Sequence, residues 1–86
     1  KALIISKDDE NSILDTVIIL PLSSSTLDDM FPYRVRIQNR DNLIDDSDIL
    51  INQITTLNKF KIKEKIARLT QEEYDLVIQA LCKNFK

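Results

Sequence analysis

The chain has 86 residues, of which 43% are hydrophobic and 30% are charged, a composition typical of one small globular domain and unlike a disordered segment. It contains no histidine and no glycine, which excludes histidine-ligated metal sites, imidazole acid–base catalysis and the glycine-rich loops that bind phosphates. The net charge of −2 divides into −5 for residues 1–48 and +3 for residues 49–86, which argues against a general nucleic-acid coat but permits one local basic surface.

The single cysteine, Cys82, cannot form an internal disulfide and suits a reducing compartment. The sequence shows no signal-peptide or lipidation pattern, and its apolar runs are shorter than the roughly 20 residues of a membrane span. We therefore expect a cytoplasmic protein that does not enter a membrane. Because glycine is absent, turns that need a positive φ must use Asn or Asp.

The N-terminal part of the chain predicts two apolar strands. Residues 1–6 (KALIIS) form the first, residues 7–12 (KDDENS) a charged turn, and residues 13–22 the second. The absence of an initiator Met and the apolar start lead us to expect further residues upstream of this single domain, 1–86.

The second strand has features that organise the rest of the chain. Residues 17–20 and Leu22 are aliphatic without polar alternation, which is typical of a central strand covered on both faces. Pro21 has no N–H to donate, so we expect strand pairing to weaken there. Residues 23–26 (SSST) follow where the chain leaves the sheet, and their simplest interpretation is a polar turn.

The middle of the chain predicts a loop, two strands and a polar connection. Residues 27–32 are the loop, residues 33–38 a half-buried strand, residues 39–48 the connection and residues 49–57 (ILINQITTL) a strand inside the sheet. In the strand 33–38 two faces alternate strictly: Tyr33, Val35 and Ile37 on the buried side, and Arg34, Arg36 and Gln38 on the other.

The C-terminal third contains the clearest element. Residues 58–69 are ambiguous: both a strand and a short helical turn near residues 58–62 fit the pattern. Residues 66–69 are the better candidate for a strand. Thr70 and Glu73 then form a capping box, in which the Thr70 hydroxyl accepts from the amide of Glu73 and the Glu73 carboxylate reaches back. One apolar stripe of a helix follows at Tyr74, Val77, Ile78, Leu81 and Phe85. Several strands and one docked helix predict an α+β domain built on an antiparallel sheet.

Four segments in order carry a family resemblance. KALIIS is similar to a strand with an Arg-Pro-x-aliphatic pattern, TVIILPLSSS to a strand ending in Pro-aliphatic-Thr/Ser, and SDILINQITTLNK to a strand leading into an acidic residue and Gln. KEKIARLTQEEYDLVIQAL is similar to a closing strand and capped helix. Together they resemble the PemK-like (MazF) toxins of bacterial toxin–antitoxin modules.

The resemblance implies a fold and an activity. The fold is a small, strongly bent antiparallel sheet, an SH3-like barrel, with the C-terminal helix packed on it, and the assembly is a homodimer neutralised by a cognate antitoxin. The activity is sequence-specific cleavage of single-stranded RNA without a metal or cofactor, through attack of the ribose 2′-OH that leaves a 2′,3′-cyclic phosphate. The family's N-terminal strand and loop would precede residue 1.

The resemblance also implies site residues. The family hydroxyl that contacts the scissile phosphate falls on Ser23, with Ser24 beside it as an RNA contact. The family arginine falls just upstream of Lys1, so Lys1 is a catalytic candidate that supplies charge without a guanidinium fork. Gln53 matches the family glutamine, and Asn52 stands where an acidic residue is usual, so both are candidates for hydrogen bonds to a nucleobase.

Other residues keep two interpretations. Arg34 and Arg36 form either a solvated pair or contacts to RNA phosphates or to an acidic antitoxin tail. Phe31 and Tyr33 can stack on an unpaired base, although Tyr33 is expected in the core. For the whole chain the alternatives to a nuclease are a non-enzymatic toxin of the same fold that binds a protein such as DNA gyrase, and a structural fragment without its catalytic half.

Overall fold

The structure is a computed structural model that describes residues 1–62 and 67–85. Its elements in chain order are β1 (Ala2–Ile4), α1 (Asp8–Ile13), β2 (Thr16–Ser23), β3 (Arg34–Ile37), β4 (Ser47–Leu50), a first 3-10 helix (Ile51–Gln53), β5 (Thr55–Asn58), a second 3-10 helix (Lys59–Lys61) and α2 (Gln71–Asn84). The strands pair antiparallel and α2 follows them, which confirms the predicted α+β class.

Strand β2 is the centre of the sheet. It pairs with β1 along one edge and with β4 and β5 along the other. Val17 and Ile19 are buried on one face and Leu20 on the opposite face, as the unbroken apolar run predicted. The strand order is β1-β2-β4-β3 with β5 also beside β2. Within the described residues no pairing joins β1 to β3, so the sheet is open and not the closed barrel that the resemblance implied.

The pairing of β2 is interrupted at Pro21, as predicted. The N–H of Leu22 donates to the Lys1 carbonyl of the β1 side at 3.0 Å, so by strand alternation the nitrogen of Pro21 points to the other edge, where it has no hydrogen to give. On that edge the pairs are Leu22 with Ile49 and Ser23 with Asp48 in β4, and Ile19 with Thr55 in β5. The first 3-10 helix fills the gap, so the single strand predicted over residues 49–57 is wrong.

Helix α2 closes one face of the sheet over the core. Its N-terminus has the predicted capping box: the Glu73 amide donates to the Thr70 hydroxyl at 3.2 Å, and the Thr70 amide donates to the Glu73 carboxylate at 2.8 Å. Val77 and Ala80 are fully buried, whereas Ile78 and Phe85 are exposed. The apolar stripe was therefore predicted in the right helix but rotated toward its exposed side. The core cluster is Leu20, Val35, Ile37, Leu43, Ile49, Ile51, Val77 and Ala80.

The segment between β1 and β2 differs from the sequence interpretation. The predicted turn over residues 7–12 is the short helix α1, whose first turn holds three acidic residues at the positive end of the helix dipole. The strand starts at Thr16 and not at residue 13, and Ile13 is 78% exposed. Six residues are too few for a helical periodicity to be visible in the sequence.

Boundaries in the middle of the chain also shift. Tyr33 precedes β3 and is exposed, so its predicted core burial is wrong. The polar connection ends two residues earlier than predicted, because Ser47 and Asp48 belong to β4. Asp29 and Asp41 have φ values of 58° and 47°, which confirms that aspartates take the turn positions where glycine is usual.

The second 3-10 helix confirms the helical alternative near residues 58–62, and the Asn58 side chain accepts from the Phe60 amide at 2.9 Å. Residues 63–66 lie outside the described residues, and they include the first residue of the strand predicted at residues 66–69. The other three residues of that prediction, 67–69, are not in a strand. None of the helices in the described ranges has the length and apolar character needed to cross a membrane.

Candidate functional site

One row of side chains crosses strands β2, β4 and β3 on the face opposite to that of the core residues Val35 and Ile49. The strand register places Ser23 of β2 opposite Asp48 of β4, and Asp48 opposite Arg36 of β3. Successive residues of a strand point to opposite faces, and Val35 and Ile49 in the adjacent row belong to the core beneath α2. The row from Ser23 to Arg36 therefore faces outward.

Ser23 ends β2 and shapes the turn that follows. Its hydroxyl oxygen accepts from the Ser25 amide at 3.2 Å, and the same hydroxyl donates to the Ser25 carbonyl at 3.3 Å. Ser24 lies exposed between them. Ser23 thus makes the polar turn that the sequence suggested, and the turn fixes a half-buried hydroxyl at the end of a rigid strand.

Asp48 is the centre of the row, and the sequence interpretation missed it. Its side chain is 1% exposed and accepts three hydrogen bonds: from Arg36 Nε at 2.5 Å, from Arg34 Nη1 at 3.1 Å and from the Leu27 amide at 2.8 Å. Burial by itself raises the pKa of Asp48, but the bonds from Arg36, Leu27 and Arg34 outweigh it and hold the pKa below its ordinary value. The missed signal is the Arg-x-Arg spacing of β3, which places two guanidinium groups on one face next to β4.

Arg34 and Arg36 are held by this carboxylate and are not a freely solvated pair. Arg34 also donates to the Ser25 carbonyl at 3.1 Å, so one oxygen joins the Ser23 hydroxyl to the Arg34 guanidinium. Arg36 Nη2 donates to Asp28 at 3.0 Å. In the part of the chain that the structure describes, Nε and Nη2 of Arg34 and Nη1 of Arg36 have no hydrogen-bond partner. These nitrogens are the free donors of the site.

Lys1 and the predicted amide pair occupy two other places. Lys1 lies opposite Leu22 on the β1 edge, so it is near the same end of β2 as Ser23, and its side chain is exposed. Asn52 and Gln53 are exposed on the first 3-10 helix, beyond the opposite end of β4 from Ser47. Within the described residues, no hydrogen bond joins the side chains of Asn52 and Gln53 to Ser23, Arg34 or Asp48.

The chemistry of the face follows from these positions. The Ser23 hydroxyl and the partly used Arg34 guanidinium beside it are suited to an anionic, phosphate-like ligand, because a guanidinium group donates to its oxygens. In residues 1–62 and 67–85, no three His, Cys, Asp or Glu side chains come together as a group that could hold a metal ion.

The sequence matches a known protein family. Residues 1–85 match the family model described as the PemK-like, MazF-like toxin of type II toxin–antitoxin systems. This match spans all the elements described above.

Solved structures show the same fold. The chain is similar to the Mycobacterium tuberculosis toxin MazF-mt6, with a TM-score of 0.86 and 15% identity over 98% of this chain and 83% of that one. It is similar to a mycobacterial endoribonuclease in complex with its cognate antitoxin, with a TM-score of 0.78 and 21% identity over 98% and 78%. It is also similar to a chain of MazE-MazF from Deinococcus radiodurans, with a TM-score of 0.80 and 16% identity over 98% and 82%.

Because these sequence identities are low, the structural matches show the fold alone. The family match covers nearly the whole sequence. The chain belongs to the PemK-like, MazF-like toxins of type II toxin–antitoxin systems.

Proposed function

We propose that this chain is an endoribonuclease toxin that cuts single-stranded RNA at specific sequences without a metal ion. The observation that carries the proposal is the shared Ser25 carbonyl, which holds the Ser23 hydroxyl and the Arg34 guanidinium side by side. Family membership supports it, as does the likeness to a mycobacterial endoribonuclease. Because the sequence contains no histidine, any proton transfer must use other groups, such as carboxylate, hydroxyl or ammonium side chains.

The proposed reaction is an internal transfer at phosphorus. The ribose 2′-oxygen bonds to phosphorus, and the bond from phosphorus to the 5′-oxygen breaks. The proton of the 2′-hydroxyl passes to water, and the 5′-oxygen takes a proton from water. The products are a 2′,3′-cyclic phosphate and a 5′-hydroxyl. When RNA binds, the single proton of the Ser23 hydroxyl turns from the Ser25 carbonyl to a phosphate oxygen, while Arg34 and Lys1 stabilise the negative charge of the pentavalent transition state. Arg36, Ser24, Asn52 and Gln53 are proposed contacts to the rest of the RNA.

The test is cleavage of a long single-stranded RNA in the presence of EDTA. We expect discrete cuts with 2′,3′-cyclic ends, and a Ser23→Ala variant that cuts about 100-fold more slowly, the usual loss for one transition-state donor. Ser12→Ala is the matched control, because Ser12 is an exposed serine of α1. Intact RNA from the folded protein would contradict the proposal and favour a toxin that binds a protein target such as DNA gyrase.

We also propose a homodimer that is neutralised by a cognate antitoxin. The relatives seen as MazE-MazF and as a toxin with its antitoxin support the antitoxin partner. The dimer is supported by apolar side chains left in solvent: Ile13 of α1 and Phe60 of the second 3-10 helix are each 78% exposed. Their segments are in contact, since Lys59 Nζ donates to the Asn11 carbonyl at 3.0 Å.

Sedimentation tests the dimer. We expect a dimer at micromolar concentration, which Phe60→Glu converts to monomer, while Ile44→Glu, an equally exposed residue of the 39–46 connection, leaves it intact. A wild-type monomer at this concentration would contradict the proposal.

A further inference from the structure

A cleft of about 510 Å³ opens beside the Asp48 cluster, between the loop after β2, the edge strand β3 and α2. This volume is within the usual range of small-molecule pockets, roughly 300–1,000 Å³. Leu27, Met30 and Phe31 from the loop form an apolar wall, and Arg34 and Arg36 form part of the opposite wall.

The polar groups of the cleft restrict what it can bind. Asp28, Asp29 and Asp48 face two arginines in the lining, so its formal charge is negative and a phosphate inside it is disfavoured. Arginine only donates hydrogen bonds and an ionised carboxylate only accepts them. A complementary ligand is therefore neutral and flat, with donors and acceptors on its rim and an apolar face.

The position of the cleft connects it to the reaction site. Arg34 lines the cleft and donates to the Ser25 carbonyl, which also accepts from Ser23, so the cleft wall is two hydrogen bonds away from the Ser23 hydroxyl. An RNA that places a phosphate at Ser23 can direct an adjoining base into the cleft.

We propose that this cleft binds an unpaired guanine close to the scissile phosphate, an inference that rests on the proposed nuclease function. Guanine O6 and N7 accept from Arg36, whose Nη1 has no partner among the described residues. Guanine N1–H and N2–H donate side by side to the carboxylate of Asp28, which is 85% exposed and already oriented by Arg36 at 3.0 Å. Phe31 covers the face of the base. Adenine and the pyrimidines do not offer this pair of adjacent donors.

Sequencing of the RNA ends left by cleavage of a random single-stranded pool tests the inference. We expect the wild type to require guanine at one fixed position near the cut. Asp28→Asn should reduce the preference for guanine over other bases about tenfold, the effect of losing one bidentate base contact. Phe31→Ala should slow cleavage of all preferred sites about tenfold without changing the base chosen. Asp45→Asn, an exposed aspartate outside the cleft lining, is the matched control.

The outcomes separate this inference from the nuclease proposal. Cuts without a guanine preference, or a guanine preference that survives Asp28→Asn, would overturn the guanine site and leave the nuclease in place. A pool that stays intact with folded wild-type protein would overturn both. The guanine site would be established if Asp28→Asn lost the preference for guanine while the Asp45→Asn control kept it.

Discussion

The domain contains two arginine–carboxylate clusters, and they differ in how fully the guanidinium nitrogens are used. Beside α2, Arg40 donates through both Nη atoms to the two Glu73 oxygens, with Nη2 and Oε2 2.5 Å apart. The Arg40 Nε donates to the Gln38 carbonyl at 2.9 Å, so this guanidinium is used from every side. On the outer face, Asp48 binds both Arg34 and Arg36, and Asp28 also binds Arg36, but some nitrogens of both guanidinium groups have no partner among the described residues.

The difference separates a structural arginine from binding arginines. The Arg40–Glu73 pair is matched one to one and continues into the capping box, which leaves nothing for a ligand. The Asp48 cluster holds two cations in place while leaving some of their donors free. The number of unused donor nitrogens on each guanidinium thus indicates which arginines can bind a further ligand.

The largest effect is expected from removing the shared carboxylate. Asp48→Ala leaves two facing guanidinium groups and the Leu27 amide without their acceptor, so the free energy of unfolding should fall by about 3 kcal/mol in urea denaturation. Asp45→Ala, at an exposed position nearby in sequence, should change it by less than about 0.5 kcal/mol. Equal effects of the two substitutions would mean that Asp48 does not organise the outer face.

A smaller loss is expected at the matched pair. Glu73→Ala removes both the Arg40 partner and half of the capping box, and should lower the free energy of unfolding by about 2 kcal/mol. Glu73→Gln retains a capping side chain and should lose about half as much. RNA cleavage should be unchanged in both variants at temperatures where they are folded, and slower cleavage would break the distinction between the two clusters.

Acid should weaken both clusters. Hydrogen bonds from Arg40, with burial opposing, lower the pKa of Glu73, and the pKa of Asp48 is also lowered in the folded state. Each carboxylate therefore contributes stability that is fully present above its unfolded pKa of about 4 and is lost as the pH falls through its folded pKa. Urea titrations at a series of pH values should show a shallower acid limb for Asp48→Asn and Glu73→Gln than for wild type. Parallel limbs would contradict the assignment.

The smallest predicted effect concerns salt. In a Ser23→Ala background, binding to single-stranded RNA should weaken with salt, and Arg34→Gln should reduce the slope of log K against log salt by about 0.7, the value for one phosphate contact. Arg40→Gln should leave the slope unchanged, because all three nitrogens of its guanidinium already donate to Glu73 and to backbone carbonyls. The same change in both variants would show that unused donor nitrogens do not identify the binding arginine.

The features predicted correctly from the sequence are those that depend on residues close to one another in the chain. The apolar run of β2, the break at Pro21 and the Thr70–Glu73 capping box each depend on a few consecutive positions. Asp48 is bound by residues 12 and 14 positions away, and Arg40 by a residue 33 positions away. Such contacts depend on strand register and helix docking, which a local pattern does not contain.

The candidate site divides in the same way. Ser23 was predicted because its proline-containing strand resembles a family motif, and the structure places it at the end of β2. Its connection to Arg34 passes through the Ser25 backbone, which has no sequence signature. Asn52 and Gln53 were expected at a strand end, but the 3-10 helix carries them. The sequence thus predicted several candidate site residues but not how they are arranged in space.

The interruption opposite Pro21 also affects how this protein can diversify. The Ile51 amide still donates to the Tyr33 carbonyl at 3.1 Å, but Asn52 and Gln53 lie outside the strand pairing, where Pro21 of β2 has no hydrogen to donate. Only Ile51 of the three is buried, and Asn52 and Gln53 project into solvent. Substitutions at these two positions can therefore accumulate at little cost to folding. A single imino acid in the central strand gives the protein a segment in which surface chemistry evolves independently of the scaffold.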